Sequence, residues 1–423
     1  MFFAFYVGFI HRQKQDIFQI ILNSCVHFDP CTADLYNECM SKASPVDLLT
    51  RGVADLIVRK DLEKLLASGK KLRIKHGVDP TKSDLHLGHA VIYRKLRQFQ
   101  DLGHTVIFLV GDFTARFGDP TDKAKSRTLR TKAEVEEAAK SYIEQVGRIL
   151  DKKKLEVRRN SEWYEDMKAE ELLRIMSNFT VARMLERDMF TKRMKAGETI
   201  GLHEPVYPVL QAYDSVMLKS DLTVIGSDQT FNELQARPLQ EFFGQKPQQV
   251  MSMQILVGTD GKQKMSKTLG NAIRLLDTPE DTFGKIMSLP DAVMPSYAEL
   301  LTDLEAIEFF EPTNPRATKV KLAKAIVEEF HGAKAAVTAA QHFDRVITKK
   351  EAPEEMPEVP FTPGQSAAHP LASHFGMSVS AIRGTIEQGG ITYEGKILKN
   401  PNEPAKPGVY KKGKRHYVRL KKK

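Results

Sequence analysis

Residues 72–110 read LRIKHGVDPTKSDLHLGHAVIYRKLRQFQDLGHTVIFLV. Residues 72–78 suit a strand, and residues 79–84, which include Pro80, suit a turn. Residues 85–102 repeat apolar side chains at helical spacing, with Asp84 as the expected N-cap. Residues 104–110 are almost continuously apolar, as in a parallel strand covered on both faces. Strand, helix and strand in this order make a βαβ unit.

The same alternation spreads outward. Downstream, helices are expected at 132–150, 169–179, 204–218 and 229–243, and strands at 155–158, 222–225 and 250–257. Upstream, Leu48, Val53, Leu56, Ile57, Leu62 and Leu65 form an apolar stripe that predicts one helix over 47–67. The pattern implies an α/β fold: a Rossmann-like parallel sheet over 44–275, with ligands at the carboxyl ends of its strands. Residues 276–349 read as a helical domain. Residues 350–370 hold Pro353, Pro357, Pro360, Pro363 and Pro370 and read as a semi-extended linker. Residues 371–423 read as a small basic α+β module, with a helix that starts near Ser378 and ends at Gly389 and Gly390.

Composition narrows the function classes. With 41% hydrophobic and 28% charged residues in 423, disorder throughout and collagen-like repeats are excluded. The basic excess is confined to one end. Residues 396–423 carry eleven Lys/Arg against Glu403, while the other 395 residues hold 52 bases and 53 acids. Such a run is either a solvated tail or a surface for a polyanion such as RNA. Cys25, Cys31 and Cys39 are the three cysteines, too few for a disulfide framework or a metal quartet, and a reducing, cytoplasmic setting is expected. Residues 1–43 are expected to lie outside the fold. Their apolar start is far shorter than the ~20 residues that span a bilayer. An organellar targeting segment or a translation start at Met40 would each explain them, and the second is preferred.

Two stretches carry chemistry. In the first, His86-Leu87-Gly88-His89 opens a helix after a strand. A helix N-terminus favours phosphate, Gly88 lets a nucleotide approach the backbone, and His86 and His89 share a face. In the second, residues 258–268 read GTDGKQKMSKT, with Gly258, Gly261 and Gly270 permitting a loop and Lys262, Lys264 and Lys267 clustering charge that could close over a triphosphate. Alone, the first is also a helix start with exposed histidines, and the second a solvated lysine run.

In this order the pair resembles the HIGH and KMSKS signatures of class I aminoacyl-tRNA synthetases, with Thr268 in place of the last Ser. Pantothenate synthetases and cytidylyltransferases share only the first cleanly. Tyr207, Gln211 and Asp214 fall at i, i+4 and i+7 on an expected helix, so one face presents all three. Asp214 could accept from a phenol hydroxyl, and Tyr207 and Gln211 from an α-ammonium. With Gly226-Ser227-Asp228-Gln229 and Gly118-Asp119-Pro120, these resemble the motifs of bacterial tyrosyl-tRNA synthetases from about residue 45 onward.

The resemblance implies catalytic roles for His86, His89, Lys264 and Lys267. It implies ATP contacts at Asp79, Gly88, Gly226, Asp228, Met265 and Ser266, with Lys123 and Arg127 on a loop over pyrophosphate. Tyrosine would meet Asp119, Tyr207, Gln211, Asp214 and Gln229, and the terminal module would meet RNA through Arg383, Lys411, Lys412, Lys414 and Arg415. It further implies ATP with Mg²⁺ as substrate complex, no tightly held protein metal, tRNA for tyrosine as partner, a homodimer and no membrane. Two positions depart. Lys75 stands where many family members carry a Tyr that contacts the substrate hydroxyl, and Ile225 replaces the first glycine of G-G-S-D-Q. The related tryptophanyl enzyme is one alternative, although it normally lacks the Y-x-x-x-Q-x-x-D set and the basic tail. An RNA-binding protein with an inactive synthetase body is the other, against which the intact HLGH and KMSKT stand.

Overall fold

The structure, a computed structural model, describes residues 45–80, 84–119, 131–304, 311, 314–348, 356–413 and 416–423. By its internal contacts the chain divides between Ala333 and Lys334 into two compact units.

The first unit is organised by six strands: β1 Val53–Ile57, β2 Arg73–Val78, β3 Thr105–Val110, β4 Leu155–Arg159, β5 Leu222–Gly226 and β6 Gln249–Met253. Their order across the sheet is β1-β6-β5-β2-β3-β4. All neighbours run parallel except β1, which is antiparallel to β6. Chain order climbs to one side from β2 through β3 to β4, and to the other from β5 to β6. The reversal therefore lies between β2 and β5. In an open parallel sheet, that is where the loops leaving the carboxyl ends part and leave a crevice. The central strands are dry: Ile74, Val106, Ile107, Phe108, Leu222 and Val224 are fully buried.

Several expected elements are corrected. The stripe over 47–67 is a helix Pro45–Thr50, the strand β1 and a helix Arg59–Ala67. Gly52 turns the chain at φ +69°, and Val53 and Ile57 find ladder partners in Met253 and Val250 instead of a helical turn. Arg51 in that turn donates to the carbonyls of Ala298, Glu299, Thr302 and Leu304, where the helix Met294–Leu301 ends. The expected helix 229–243 is two, Thr230–Leu234 and Ala236–Phe242. Pro238 has no N–H to offer the carbonyl four residues back, so the break falls there. The strand expected over 250–257 stops at Met253. Residues 256–265 turn back on themselves instead, with the Met265 N–H on the Leu256 carbonyl at 2.9 Å.

The helices Pro279–Met287, Met294–Leu301 and Pro315–His331 pack on this body. Arg94, on the helix Leu87–Asp101, pairs with Asp303 at 2.7 Å and with Glu329 at 3.0 Å. No described helix is long and apolar enough to cross a membrane.

The second unit holds five strands: β7 Glu358–Phe361, β8 Ile391–Tyr393, β9 Lys396–Ile397, β10 Gly408–Lys412 and β11 His416–Lys422, in the order β7-β11-β10-β8-β9. Helices Ala368–Phe375 and Val379–Glu387 close its core of Leu371, Ile382, Ile386, Ile391, Tyr410, Val418 and Leu420. The proline-rich stretch is thus more than a linker, because β7 lies inside it. Pro360 is tolerated because β7 is an edge strand, where a missing N–H costs no ladder bond.

Candidate active site

The helix Leu87–Asp101 starts directly after the turn that follows β2, and its N-cap is His86 rather than Asp84. The His86 backbone N–H donates to His89 Nδ1 at 3.2 Å, so the neutral His89 ring carries its proton on Nε2. The two rings lie 4.0 Å apart between centroids. Burial lowers the His86 pKa to about 4, with the nearby Lys264 charge adding to it. Burial likewise holds His89 well below its ordinary value, helped by His86, His76 and Lys264. Both imidazoles are therefore neutral at pH 7. His86 Nδ1 is buried with no partner among the described residues. A Cβ on Gly88 would sit 3.0 Å from the His86 ring and 3.7 Å from Met265 Cβ, so the glycine makes room for both stretches to meet.

They meet through the backbone. The Leu87 N–H donates to the Ile273 carbonyl and the Leu275 N–H to the Leu85 carbonyl, both at 2.9 Å. The chain leaving the lysine loop is thereby zipped to the chain entering the histidine helix. Lys264 Nζ reaches Asp228 at 3.2 Å, and Lys267 Nζ lies 3.9 Å from Asp84. Asn271, 3% exposed, holds the loop by accepting from the Ser266 N–H at 2.8 Å and donating to Asp260 at 3.0 Å. Met265 is buried in the hairpin, with its N–H on the Leu256 carbonyl. A Cβ on Gly226 would meet Asp228 Oδ1 at 2.6 Å, so that turn also depends on glycine.

The other end of the crevice is a dry polar pocket. Tyr207, Gln211 and Asp214 share one face of the helix Tyr207–Leu218, as their spacing predicts, and Tyr207 and Asp214 are buried. Asp214 accepts from Trp163 Nε1 at 3.0 Å and Asn160 Nδ2 at 3.5 Å. Burial raises its pKa to about 7, opposed by the Lys75 charge and these donors. Tyr207 Oη donates to Asp79 at 2.9 Å, and Thr114 Oγ1 does so at 2.7 Å. Burial raises Asp79 to about 7 despite these bonds, with Asp119 and Asp214 adding to the rise. With its proton spent on Asp79, Tyr207 keeps oxygen lone pairs as acceptors. Gln229 Nε2 donates to Asp119 at 2.9 Å. The residues expected around an amino acid thus converge beside those expected around ATP.

These observations agree with what known proteins resemble. Residues 67–348 match the family model of class I tRNA synthetases, W and Y. The chain belongs to this family. The synthetase is 47% identical over 382 residues to a tyrosine–tRNA ligase of Dehalococcoides mccartyi, covering 88% of this chain and 96% of the relative. It is 45% identical over 393 residues to one from Thermotoga maritima, covering 90% and 98%. A C-terminally truncated mitochondrial tyrosyl-tRNA synthetase from Aspergillus nidulans superimposes with a TM-score of 0.61 over 73% of this chain and 97% of that one, at 22% identity. The Archaeoglobus fulgidus tyrosyl-tRNA synthetase complexed with L-tyrosine gives 0.53 over 71% and 99%, also at 22%. At such identities the two structures speak for the fold.

Several residues of the synthetase pocket escaped the motif reading. Asn160 and Trp163 follow the carboxyl end of β4, and polar residues at a strand's carboxyl end were the available signal. Arg187 is buried, and its guanidinium stacks 5.4 Å from the Phe231 ring. Burial lowers its pKa, and Asp119 and Asp228 oppose that. Lys75 and Glu233 form a fully buried pair whose partners are far apart in sequence.

In the second unit, Arg383 is exposed on the helix Val379–Glu387. Lys411 and Lys412 are successive residues of β10 and so point to opposite faces. Lys411 Nζ lies 4.9 Å from the Tyr417 ring, while Lys412 Nζ lies 4.7 Å from the Phe375 ring and 2.9 Å from Met377 Sδ. Lys123, Arg127, Lys414, Arg415 and residues 1–43 lie outside the described residues.

Proposed function

We propose that this synthetase is a tyrosine–tRNA ligase that works in two steps at the crevice between β2 and β5. A carboxylate oxygen of tyrosine attacks the α-phosphorus of ATP, and pyrophosphate leaves, giving tyrosyl-adenylate. A ribose hydroxyl of the terminal adenosine of tRNA then attacks the acyl carbon, and AMP leaves. Neither step needs an enzyme nucleophile, so catalysis is positioning and charge stabilisation. His86 and His89, neutral at pH 7, donate N–H bonds to the phosphate oxygens. Lys264 and Lys267 exchange Asp228 and Asp84 for the phosphates as negative charge builds on the leaving pyrophosphate, with Lys123 and Arg127 assisting from their loop. Mg²⁺ enters with ATP, held largely by its phosphates. Gly88, Gly226, Asp228, Met265 and Ser266 surround the nucleoside, and Asp79, held by Tyr207 and Thr114 at the amino-acid end, borders it from that side.

The observation that carries the amino-acid assignment is the buried Asp214, held by Trp163 and Asn160 where a phenol hydroxyl can donate to it. Asp119, Tyr207, Gln211 and Gln229 take the ammonium. The helical stretch 276–349 and the terminal module, through Arg383, Lys411, Lys412, Lys414 and Arg415, hold the tRNA. A cytoplasmic homodimer completes the reading. In its support, Leu173 and Phe242 are exposed at 64% and 50% on helices that Arg174 joins by stacking over Phe242. The test is ATP–pyrophosphate exchange with each amino acid in turn. Exchange with tyrosine alone is expected; exchange with tryptophan would assign the sister enzyme, and none with any would assign an inactive body.

A further inference from the structure

We propose that the buried Lys75–Glu233 ion pair is the positioning unit of the ammonium site: Glu233 dictates which end of the Gln211 amide faces the pocket, and Lys75 neutralises Glu233 where water cannot reach. This deepens the reading just given and rests on it.

Both side chains are 1% exposed, and Lys75 Nζ meets Glu233 Oε2 at 3.0 Å. Lys75 Nζ also donates to Ser215 Oγ at 2.6 Å. Glu233 accepts from Gln211 Nε2 at 2.7 Å through Oε1, and from Gln248 Nε2 at 2.9 Å through Oε2. A carboxylate can only accept, so Gln211 must turn its NH₂ toward Glu233 and its Oε1 away. That Oε1 then accepts from Asn232 Nδ2 at 2.9 Å. The same Nδ2 donates to Gln229 Oε1 at 3.1 Å, and Gln229 Nε2 donates to Asp119 at 2.9 Å. Three amides thus stand in a chain with an acceptor-only carboxylate at each end, and every flip state along it is fixed.

The consequence is chemical. A substrate ammonium has three donors and no acceptor, so it needs oxygens. The chain turns Gln211 Oε1 and Gln229 Oε1 to the same partner, Asn232, so that both amides present oxygen, not NH₂, on that side. Without a carboxylate at position 233, the Gln211 amide is free to present its NH₂ to a positive charge. Glu233 in turn needs Lys75, because a buried carboxylate left alone costs far more than a paired one. Lys75 and Glu233 are positioning residues, since neither is placed on the substrate.

The experiment compares two competitive inhibitors of tyrosine-dependent ATP–pyrophosphate exchange. Tyramine has the phenol and the ammonium; 3-(4-hydroxyphenyl)propionate has the phenol and the carboxylate. Their Ki ratio isolates the ammonium contacts, because any change at the phenol moves both alike. Glu233→Gln is isosteric and reverses the polarity of the chain. It is expected to raise the Ki ratio of tyramine to 3-(4-hydroxyphenyl)propionate roughly ten- to two-hundredfold, the effect of one hydrogen bond to a charged group. Lys75→Met/Glu233→Leu removes both buried charges together, leaves none uncompensated, and is expected to raise the ratio likewise. An unchanged ratio in these variants, with both inhibitors weakened equally or not at all, overturns the proposal and makes the pair merely structural. Failure of the reading beneath it looks different: the unaltered enzyme would show no tyrosine-dependent exchange.

Discussion

At the nucleotide end of the crevice, the Lys264 and Lys267 side chains are 54% and 46% exposed and rest 3.2 and 3.9 Å from Asp228 and Asp84. At the amino-acid end, Lys75 and Glu233 are 1% exposed and meet at 3.0 Å. The same kinds of charge serve opposite purposes. An exposed pair in high dielectric is worth about 0–1 kcal/mol, so a phosphate can displace the carboxylate with little loss. A dry pair cannot change partners without stranding a charge. On the proposed reading, groups that follow ATP through the reaction are held loosely, and groups that recognise one small molecule are fixed before it arrives.

The sharpest way to break this division is Lys267→Ala. It should lower kcat for tyrosine activation by about 10²–10³-fold, as for loss of one preorganised transition-state contact, and leave KM for tyrosine unmoved. Stopped-flow adenylate formation reads both, and a rise in tyrosine KM would merge the two ends. Asp214→Ala probes the other side. Its kcat/KM for tyrosine should fall roughly ten- to two-hundredfold, the loss of a hydrogen bond to a buried charge, while KM for ATP changes little. An equal effect on ATP would show the ends to be coupled.

The two ends were also unequally legible. The nucleotide end is read from local words: H-x-G-H and K-M-S-K-T each place chemistry on a few consecutive residues, and the backbone bonds of Leu85 and Leu87 to Leu275 and Ile273 bring them together. Tyr207, Gln211 and Asp214 were readable because helical spacing alone aligns them. Glu233 and Trp163 were not, because what makes them part of the site is contact across 158 or fewer residues of chain with Lys75 and Asp214, which no local pattern announces. The sheet was legible where strands are buried on both faces. It was not at β1, whose apolar residues fit a helix stripe equally well until β6 supplies a ladder partner. Nor was β7, where prolines mark a linker unless the strand is known to lie at an edge.

A smaller effect is expected in the second unit, where the lysines again differ by environment. Removing one phosphate contact should weaken tRNA binding a few-fold and reduce the slope of log K against log salt by about one. Arg383→Ala and Lys411→Ala should each do so in filter-binding titrations. Lys412→Ala should change the slope less, because each ammonium lies over a ring but that of Lys412 also donates to Met377 Sδ.

The gentlest test uses the single tryptophan of the chain, Trp163, as a reporter inside the pocket. Its indole N–H donates to Asp214, whose pKa is raised to about 7 by burial. Above pH 7 that partner is a carboxylate; below, it is a neutral acid. Trp163 emission should therefore titrate with a midpoint near pH 7, keep doing so in Asp79→Asn, and lose the transition in Asp214→Asn. The sign of the linked stability follows. The folded protein retains a proton that the unfolded chain releases near pH 4, so stability attributable to Asp214 is full below pH 4 and is lost as pH rises through about 7. Asp214→Asn should accordingly flatten the decline in Tm between pH 5 and 8. A flat emission profile in the unaltered protein would mean that Asp214 is ionised throughout, and that the amino-acid end is wetter than its burial implies.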